Sequence, residues 1–194
     1  EMQEIGVKNF PRKRPLYFRE GQNVRFFTPS RKIELYSQQL ADKGFDPMPV
    51  YTPPEPVPNG FYRLNYGRMP AHTFGKTTNN PLLFQLAPEN QLWVNPLVAS
   101  EHGLASGEYV RLASREGAIS SKFRVRVTER IGPDSVFMAH GFGHKSKRLR
   151  LTAGAGADDS ELMTNIKVDP IMGGTGMRSN FVTFVRQPGA GGDA

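Results

Sequence analysis

Cysteine is absent from the chain, which excludes disulfides, zinc–thiolate sites and a cysteine nucleophile within these residues. Long apolar runs are absent too. The longest are runs such as Val136-Phe137-Met138-Ala139, whereas a membrane-spanning helix needs about 20 apolar residues. The common reaction-centre signatures are also missing. There is no Gly-x-Ser-x-Gly elbow, no phosphate loop ending in Gly-Lys-Ser/Thr, no His-Glu-x-x-His, and no Gly-x-Gly-x-x-Gly opening a helix after a strand. Gly154-Ala155-Gly156-Ala157 is superficially like a dinucleotide turn, but no strand feeds it. The opening Glu1-Met2-Gln3 carries no charged-then-apolar leader pattern, and a domain boundary accounts for it as well as a natural start.

Acids are scarce at one end only. Residues 8–32 hold Lys8, Arg12, Lys13, Arg14, Arg19, Arg25, Arg31 and Lys32 against Glu20 alone, so the formal net charge of +7 resides in this lead-in. Glycine and proline are plentiful, at 20 and 16 of 194 residues. Together they exceed the roughly 12 % of an average chain and favour turns over long helices. With 38 % hydrophobic residues, the chain has enough for one core.

Asn23-Val24-Arg25-Phe26-Phe27-Thr28 reads as a short strand. Ile33, Tyr36 and Leu40 lie at helical spacing over 31–40, with Gly44 as the stop. Residues 46–60 contain six prolines and suit an extended linker laid over a surface. Strands are expected at 61–66, 91–95, 109–113, 136–139 and 181–185, with a helical turn at 96–102. The clearest alternation is at 119–127, where Ile119, Ser121, Phe123, Val125 and Val127 share one face. Short strands with few helices point to a β-barrel or sandwich.

Three polar, glycine-rich segments follow strands: 67–80, 140–148 and 164–176. Glycine lets backbone approach a ligand, and exposed N–H groups beside Arg, Lys, Thr and Asn suit phosphate. The bland alternatives are plain turns, a structural His72 and a solvated basic face at Lys145, Lys147, Arg148 and Arg150. His140 and His144 lie four apart, but the intervening Gly-Phe-Gly disfavours the helix that metal ligation at that spacing needs. Asp158-Asp159 with Glu161 reads as a helix N-terminal cluster. From the residues alone, this is a binding domain without a recognisable reaction centre. A basic β-barrel nucleic-acid-binding module and an interaction barrel with no ligand stand as alternatives.

Several motifs carry a family resemblance. Thr28-Pro29-Ser30-Arg31-Lys32-Ile33-Glu34-Leu35-Tyr36-Ser37 resembles the TPSGKIELYS signature that precedes the last domain of molybdopterin oxidoreductases of the dimethyl sulfoxide reductase superfamily, with Arg31 standing in place of glycine. Tyr66-Gly67-Arg68 with His72-Thr73 and Thr77-x-Asn79-Asn80-Pro81 resembles that domain's opening cofactor loop. Pro88-Glu89-Asn90-x-Leu92-Trp93-Val94-Asn95-Pro96 is similar to its middle. Val136 through His144, and Asn165 with Asp169-Pro170 and Gly173-Gly174, are similar to its end. The pattern is nearest to thiosulfate and polysulfide reductase catalytic subunits.

This resemblance implies a mainly β fold: a six-stranded double-psi β-barrel over 61–188, with short helices, an extended lead-in over 1–60 and a flexible tail at 189–194. It implies a bis(molybdopterin guanine dinucleotide) cofactor bound by Gly67, Arg68, His72, Thr73, Thr77, Asn79, His140, Gly141, Phe142, His144, Lys145 and Asn165. It assigns no catalytic or metal-ligating residue to the chain. The molybdenum ligand and an iron–sulfur cluster are expected in an earlier part of a longer subunit, and the chain by itself is expected to be inactive. The implied partners are the rest of the catalytic subunit, an iron–sulfur electron-transfer subunit and a membrane anchor subunit, with no nucleic acid. The implied location is periplasmic or at the outer face of the cytoplasmic membrane.

Overall fold

Seven of the nine short strands in the described chain belong to one sheet, whose order is β3-β5-β2-β6-β1-β9-β4. They are β1 (Tyr62–Gly67), β2 (Gln91–Val94), β3 (Tyr109–Val110), β4 (Leu112–Ser114), β5 (Phe123–Val127), β6 (Ser135–Ala139) and β9 (Phe181–Phe184). The computed structural model describes residue 4 and residues 6–8, 10, 26–48, 50–176 and 179–185. Two compact units are present, Glu1–Pro53 and Pro54–Ala194.

The two ends of the sheet are one stretch of chain. β3 pairs antiparallel with β5, β4 pairs antiparallel with β9, and only Arg111 separates them. The sheet therefore curls round into a nearly closed six-stranded barrel, which leaves little of its edge unpaired. This is the double-psi barrel class expected from the resemblance. Inside are Leu64, Leu92, Val94, Leu112, Phe123, Val125, Val136, Met138 and Val182, all essentially fully buried. Every second residue of β2 and β5 points inward (Leu92, Val94; Phe123, Val125), so the pleat sorts the side chains. The outward set includes Trp93, Arg124 and Arg126.

β1 and β6 are parallel neighbours in register from Arg63↔Ser135 to Gly67↔Ala139. Both strands thus release their chains at the same end of the barrel. That places the segment after Gly67 beside the segment after Ala139.

Short helices interrupt the loops. In the second unit, α2 (Pro81–Leu86) and α3 (Pro96–His102) each begin with an Asn side chain capping the first turn and a proline at the first helical position. Gly103, left-handed at φ 63°, ends α3. The proline-rich run is tied down beyond Pro54: Glu55 pairs with Arg115 at 2.7 Å and Lys167 at 3.0 Å. A small hairpin, β7 (Lys167–Val168) and β8 (Thr175–Gly176), occupies the segment expected to be irregular.

Three expectations are corrected. The helix expected over 31–40 is the single turn α1 (Gln38–Ala41), capped by Ser37 and closed by Gly44 at φ 78°. Upstream, Thr28 Oγ1 donates to Lys32 O and Ser30 N donates to Glu34 Oε1, side-chain bonds that compete with a helix. Arg31 is left-handed at φ 58°, the conformation glycine adopts at least cost, which accounts for glycine in the signature. Second, the alternation at 119–127 holds only from Phe123. Ile119 is exposed and Ser120 is buried, with the Ser120 hydroxyl accepting from Leu112 N at 2.9 Å. Third, Phe26–Thr28 form no strand; the rest of that expected strand and most of the basic lead-in (11–25) lie outside the described residues.

Candidate functional site

The first two polar segments interlock at the barrel end where β1 and β6 finish. Gly141 is left-handed at φ 99°, and a Cβ there would lie 2.5 Å from Gly75 N and 2.6 Å from Phe74 C. Gly143 is left-handed at φ 77° and equally tight against Asp158 N and Ala157 C. These glycines let one stretch of backbone approach another. At Gly67 a Cβ would meet the Phe137 ring at 3.1 Å.

Several predicted ligand residues are committed to holding the loops. His72 is buried, and its Nε2–H donates to Ala87 O at 2.8 Å. That tautomer leaves Nδ1 to accept from Thr77 Oγ1 at 3.3 Å, while Thr77 Oγ1 accepts from Thr73 N at 2.8 Å. His72, Thr73 and Thr77 thus form one internal network. Phe142 is buried with its ring edge-on to His72, 5.6 Å between centroids, so it packs within the protein. Asn79 Oδ1 accepts from Leu151 N and Thr152 N at 3.0 and 3.4 Å, fastening the 149–152 turn. His144 donates from Nε2 to Thr78 Oγ1 at 3.2 Å, and that hydroxyl donates to Gly75 O. These groups shape the site from behind.

The outward set is smaller. Arg68 is exposed, with its guanidinium 5.0 Å above the Phe74 ring. Phe74 itself is left-handed at φ 49°, a costly state for an aromatic residue that persists where surroundings enforce it. Its ring also meets His140 edge-on at 5.5 Å. His140 is partly exposed, and its Nδ1–H donates to both oxygens of Asp159 at 2.8 Å. Asp159 is fully buried. Burial pushes its carboxyl above the usual range, and the His140 hydrogen bond and charge oppose that rise. Lys145 is exposed and paired with Glu161 at 3.1 Å. Burial acts to raise the Glu161 carboxyl, but the Ser121 backbone N–H, Lys145 and the Ser121 hydroxyl outweigh it and hold it below the usual range.

Asn165 lies apart from this cluster. Its backbone N–H donates to Asn180 Oδ1 at 2.8 Å and its carbonyl accepts from Asn180 Nδ2 at 3.0 Å. Its side-chain amide enters none of the hydrogen bonds among the described residues. The third segment is anchored beside β9, and no hydrogen bond among the described residues joins it to the other two.

Beside Arg68 opens a cleft of about 640 Å³ along the outer wall of the barrel. Trp93 and Phe137 lie against each other on its wall, 5.0 Å between centroids, and the Arg126 guanidinium sits 5.1 Å from the Trp93 ring. Arg124 pairs with Glu89 at 3.4 Å. With Arg68, Arg124, Arg126 and Arg130 against Glu89, the lining favours an anion with a flat apolar part. Among the described residues, no three His, Asp or Glu side chains converge to hold a metal ion. No helix among them is long and apolar enough to cross a membrane.

Asn90 and Asp159 were not among the expected site residues. Asn90 is fully buried; its Nδ2 donates to Ala139 O (2.8 Å) and Ala157 O (2.9 Å), and its Oδ1 accepts from Ala157 N (2.9 Å). Asp159 stands in a 3₁₀ turn (Asp159–Leu162) capped by Asp158, so the expected acidic N-terminal cluster divides into a cap and a buried partner for His140. A different buried group has no partner: among the described residues, Thr152 Oγ1 alone is buried without a hydrogen bond. Thr152→Val removes that orphan at little cost in shape and is expected to stabilise the chain by about 1 kcal/mol. Thermal unfolding should then rise by roughly 2–4 °C.

The family model for the molydopterin dinucleotide binding domain matches residues 62–181, the span from the first barrel strand to the last. The molybdopterin-containing subunit PhsA of thiosulfate reductase from Salmonella typhimurium is 36 % identical over 132 residues, 65 % of this chain and 16 % of that protein. Dimethyl sulfoxide reductase DmsA from Escherichia coli is 27 % identical over 170 residues, 80 % of this chain and 20 % of that protein. Acetylene hydratase from Pelobacter acetylenicus superposes with a TM-score of 0.65 at 19 % identity, covering 82 % of this chain and 24 % of that one. The chain spans about a fifth or less of the length of these two curated relatives.

Proposed function

Because the chain belongs to the molybdopterin dinucleotide-binding domain family, we propose that it is the cofactor-binding C-terminal part of a molybdenum oxidoreductase subunit. In this reading the cofactor is bis(molybdopterin guanine dinucleotide), and the complete subunit reduces a sulfur oxyanion or polysulfide. The likeness to the thiosulfate reductase subunit supports that substrate class. The observation that carries the cofactor assignment is the outward polar set at the end of β1 and β6. It comprises the exposed Arg68 guanidinium, the outward edge of the His140 ring and the arginine-lined cleft next to them. The uncommitted Asn165 amide adds a further donor. Guanidinium groups suit pyrophosphate, and a ring nitrogen and an amide suit the edge of a fused heterocycle. The polar groups present fit such a group.

When bound, molybdenum supplies the oxygen- or sulfur-transfer redox chemistry, and the protein's part is binding, orientation and electrostatic tuning. Arg68 holds anionic oxygens. His140 and Asn165 address polar ring edges. The internal networks of His72, Asn79, Thr78 and Asn90 keep the loops from collapsing when these groups are engaged. The same reading gives the chain the rest of its catalytic subunit as first partner, followed by an iron–sulfur electron-transfer subunit and a membrane anchor subunit. It places the assembly on the periplasmic face of the cytoplasmic membrane.

The chain has a single tryptophan, Trp93, which lines the cleft beside Arg68. Titration of the 194-residue chain with molybdopterin guanine dinucleotide released from a purified molybdoenzyme should quench its fluorescence saturably. Losing one charge-assisted contact costs about 1.5–3 kcal/mol, so Arg68→Ala should weaken binding by roughly tenfold or more. A folded chain whose fluorescence and heat signal ignore the dinucleotide would sink the assignment.

A further inference from the structure

His140 is gripped on one edge only. Nδ1 points inward at the fully buried Asp159, 2.8 Å from both carboxylate oxygens. The Tyr66 and Phe74 rings flank it with centroids at 5.9 and 5.5 Å. The opposite edge, carrying Nε2, enters none of the hydrogen bonds among the described residues, and the side chain is partly exposed. A neutral imidazole has one N–H and one bare nitrogen, and the hydrogen bond at one nitrogen decides the character of the other. A carboxylate is an acceptor only, so it retains the proton on Nδ1. It is itself locked in place: it follows the Asp158 cap in the 3₁₀ turn, and that turn's Glu161 is fastened to Ser121 N at 2.8 Å.

We propose that Asp159 is a positioning residue that fixes the Nδ1–H tautomer of His140, so that Nε2 meets the ligand as a hydrogen-bond acceptor for a ring N–H of a fused heterocycle. This rests on the cofactor reading above and deepens it by assigning an acceptor, where the neighbouring arginines offer only donors. It also explains why a carboxylate is kept out of water beside a site built for anions. At that depth its oxygens are spent on His140 and make no direct contact with a ligand at the surface. The same tautomer logic separates His140 from His72, whose Nε2–H is already given to Ala87 O.

The test begins without ligand. The chain has four histidines, so long-range ¹H–¹⁵N correlation on the labelled 194-residue chain, well above the ordinary histidine titration range, resolves each ring. His140 should carry its proton on Nδ1 with Nε2 bare. A proton on Nε2, whether alone or together with one on Nδ1, overturns the proposal. In Asp159→Ala the Nδ1–H form should fall from the major to the minor population while His72, His102 and His144 keep their signals. Persistence of the Nδ1–H form overturns the proposal as well. The first arm needs no variant, so it decides even if Asp159→Ala does not fold. In the Trp93 titration, Asp159→Ala should weaken dinucleotide binding about five- to tenfold, and Asp159→Asn, which keeps an acceptor oxygen, should recover part of that loss. Unchanged binding in Asp159→Ala after loss of the tautomer overturns the role toward ligand. Failure of every chain to bind, with the tautomer as stated, refutes the cofactor reading and with it the ligand half of this proposal.

Discussion

Asn90→Ala is expected to lower the unfolding free energy by about 3–5 kcal/mol, because one side chain satisfies three buried backbone groups. The groups are Ala139 O, Ala157 O and Ala157 N. None of them regains water in the variant, since Ala139 and Ala157 are themselves buried. Each unsatisfied group costs about 1–3 kcal/mol, and partial relaxation keeps the total below the simple sum. For a chain of this size that lowers the thermal midpoint by roughly 10 °C or more. Asn90→Asp should be no milder, because a carboxylate cannot donate to the two carbonyls. The loss also reaches the site. Asn90 links the end of β6, one residue before His140, to the strand of chain that leads into Asp159. The measurement is thermal and urea unfolding of both variants, with the His140 ring resonances as a local reporter. A midpoint within two degrees of the unchanged chain would contradict the assignment.

Gly141→Ala is expected to cost about 2–5 kcal/mol by a different route. The backbone at φ 99° is unfavourable for any side chain, and the added methyl would strike Gly75 N and Phe74 C. Backbone cannot rotate aside as a side chain can, so the two loops must separate. The control is Gly154→Ala, left-handed at φ 76° but with nothing within 4 Å of a Cβ. It should cost only about 1 kcal/mol, the conformational part alone. Denaturant unfolding of the pair separates strain from collision. Equal losses at the two positions would show that loop–loop contact contributes nothing.

The barrel was legible because burial alternates along β2 and β5 with period two, and because turn residues punctuate the strands. The face of Ile119 was misread because the strand begins four residues later, after an irregular stretch pinned by Ser120. The capped helix at Pro81–Leu86 was not anticipated, although Asn80-Pro81 repeats the cap-then-proline pattern of Asn95-Pro96. The site was legible by region more than by role. The 67–80 and 140–148 segments do meet, yet their histidines, threonines and Asn79 mostly bond to protein groups. Sequence spacing cannot distinguish a hydroxyl facing solvent from one spent on a neighbouring loop. The roles of Asn90 and Asp159 are hidden from the sequence for a related reason. Their partners lie 49 to 67 and 19 residues away, and only the closed barrel brings them together. The signal available was a polar residue set directly before an apolar strand, as in Glu89-Asn90-Gln91-Leu92.

The barrel's first strand has no partner close behind it in the chain. β1 pairs with β6, which starts about seventy residues later, and with β9, which follows after more than a hundred. A chain made from its N-terminus must therefore hold Leu64 and its neighbours without a strand partner until β6 emerges, and with one side of β1 unpaired until β9 does. Long-range pairing of this kind is slow, since loop closure must precede any gain from contact. A product truncated ahead of Phe181 leaves β4 and one side of β1 open to pairing with another chain.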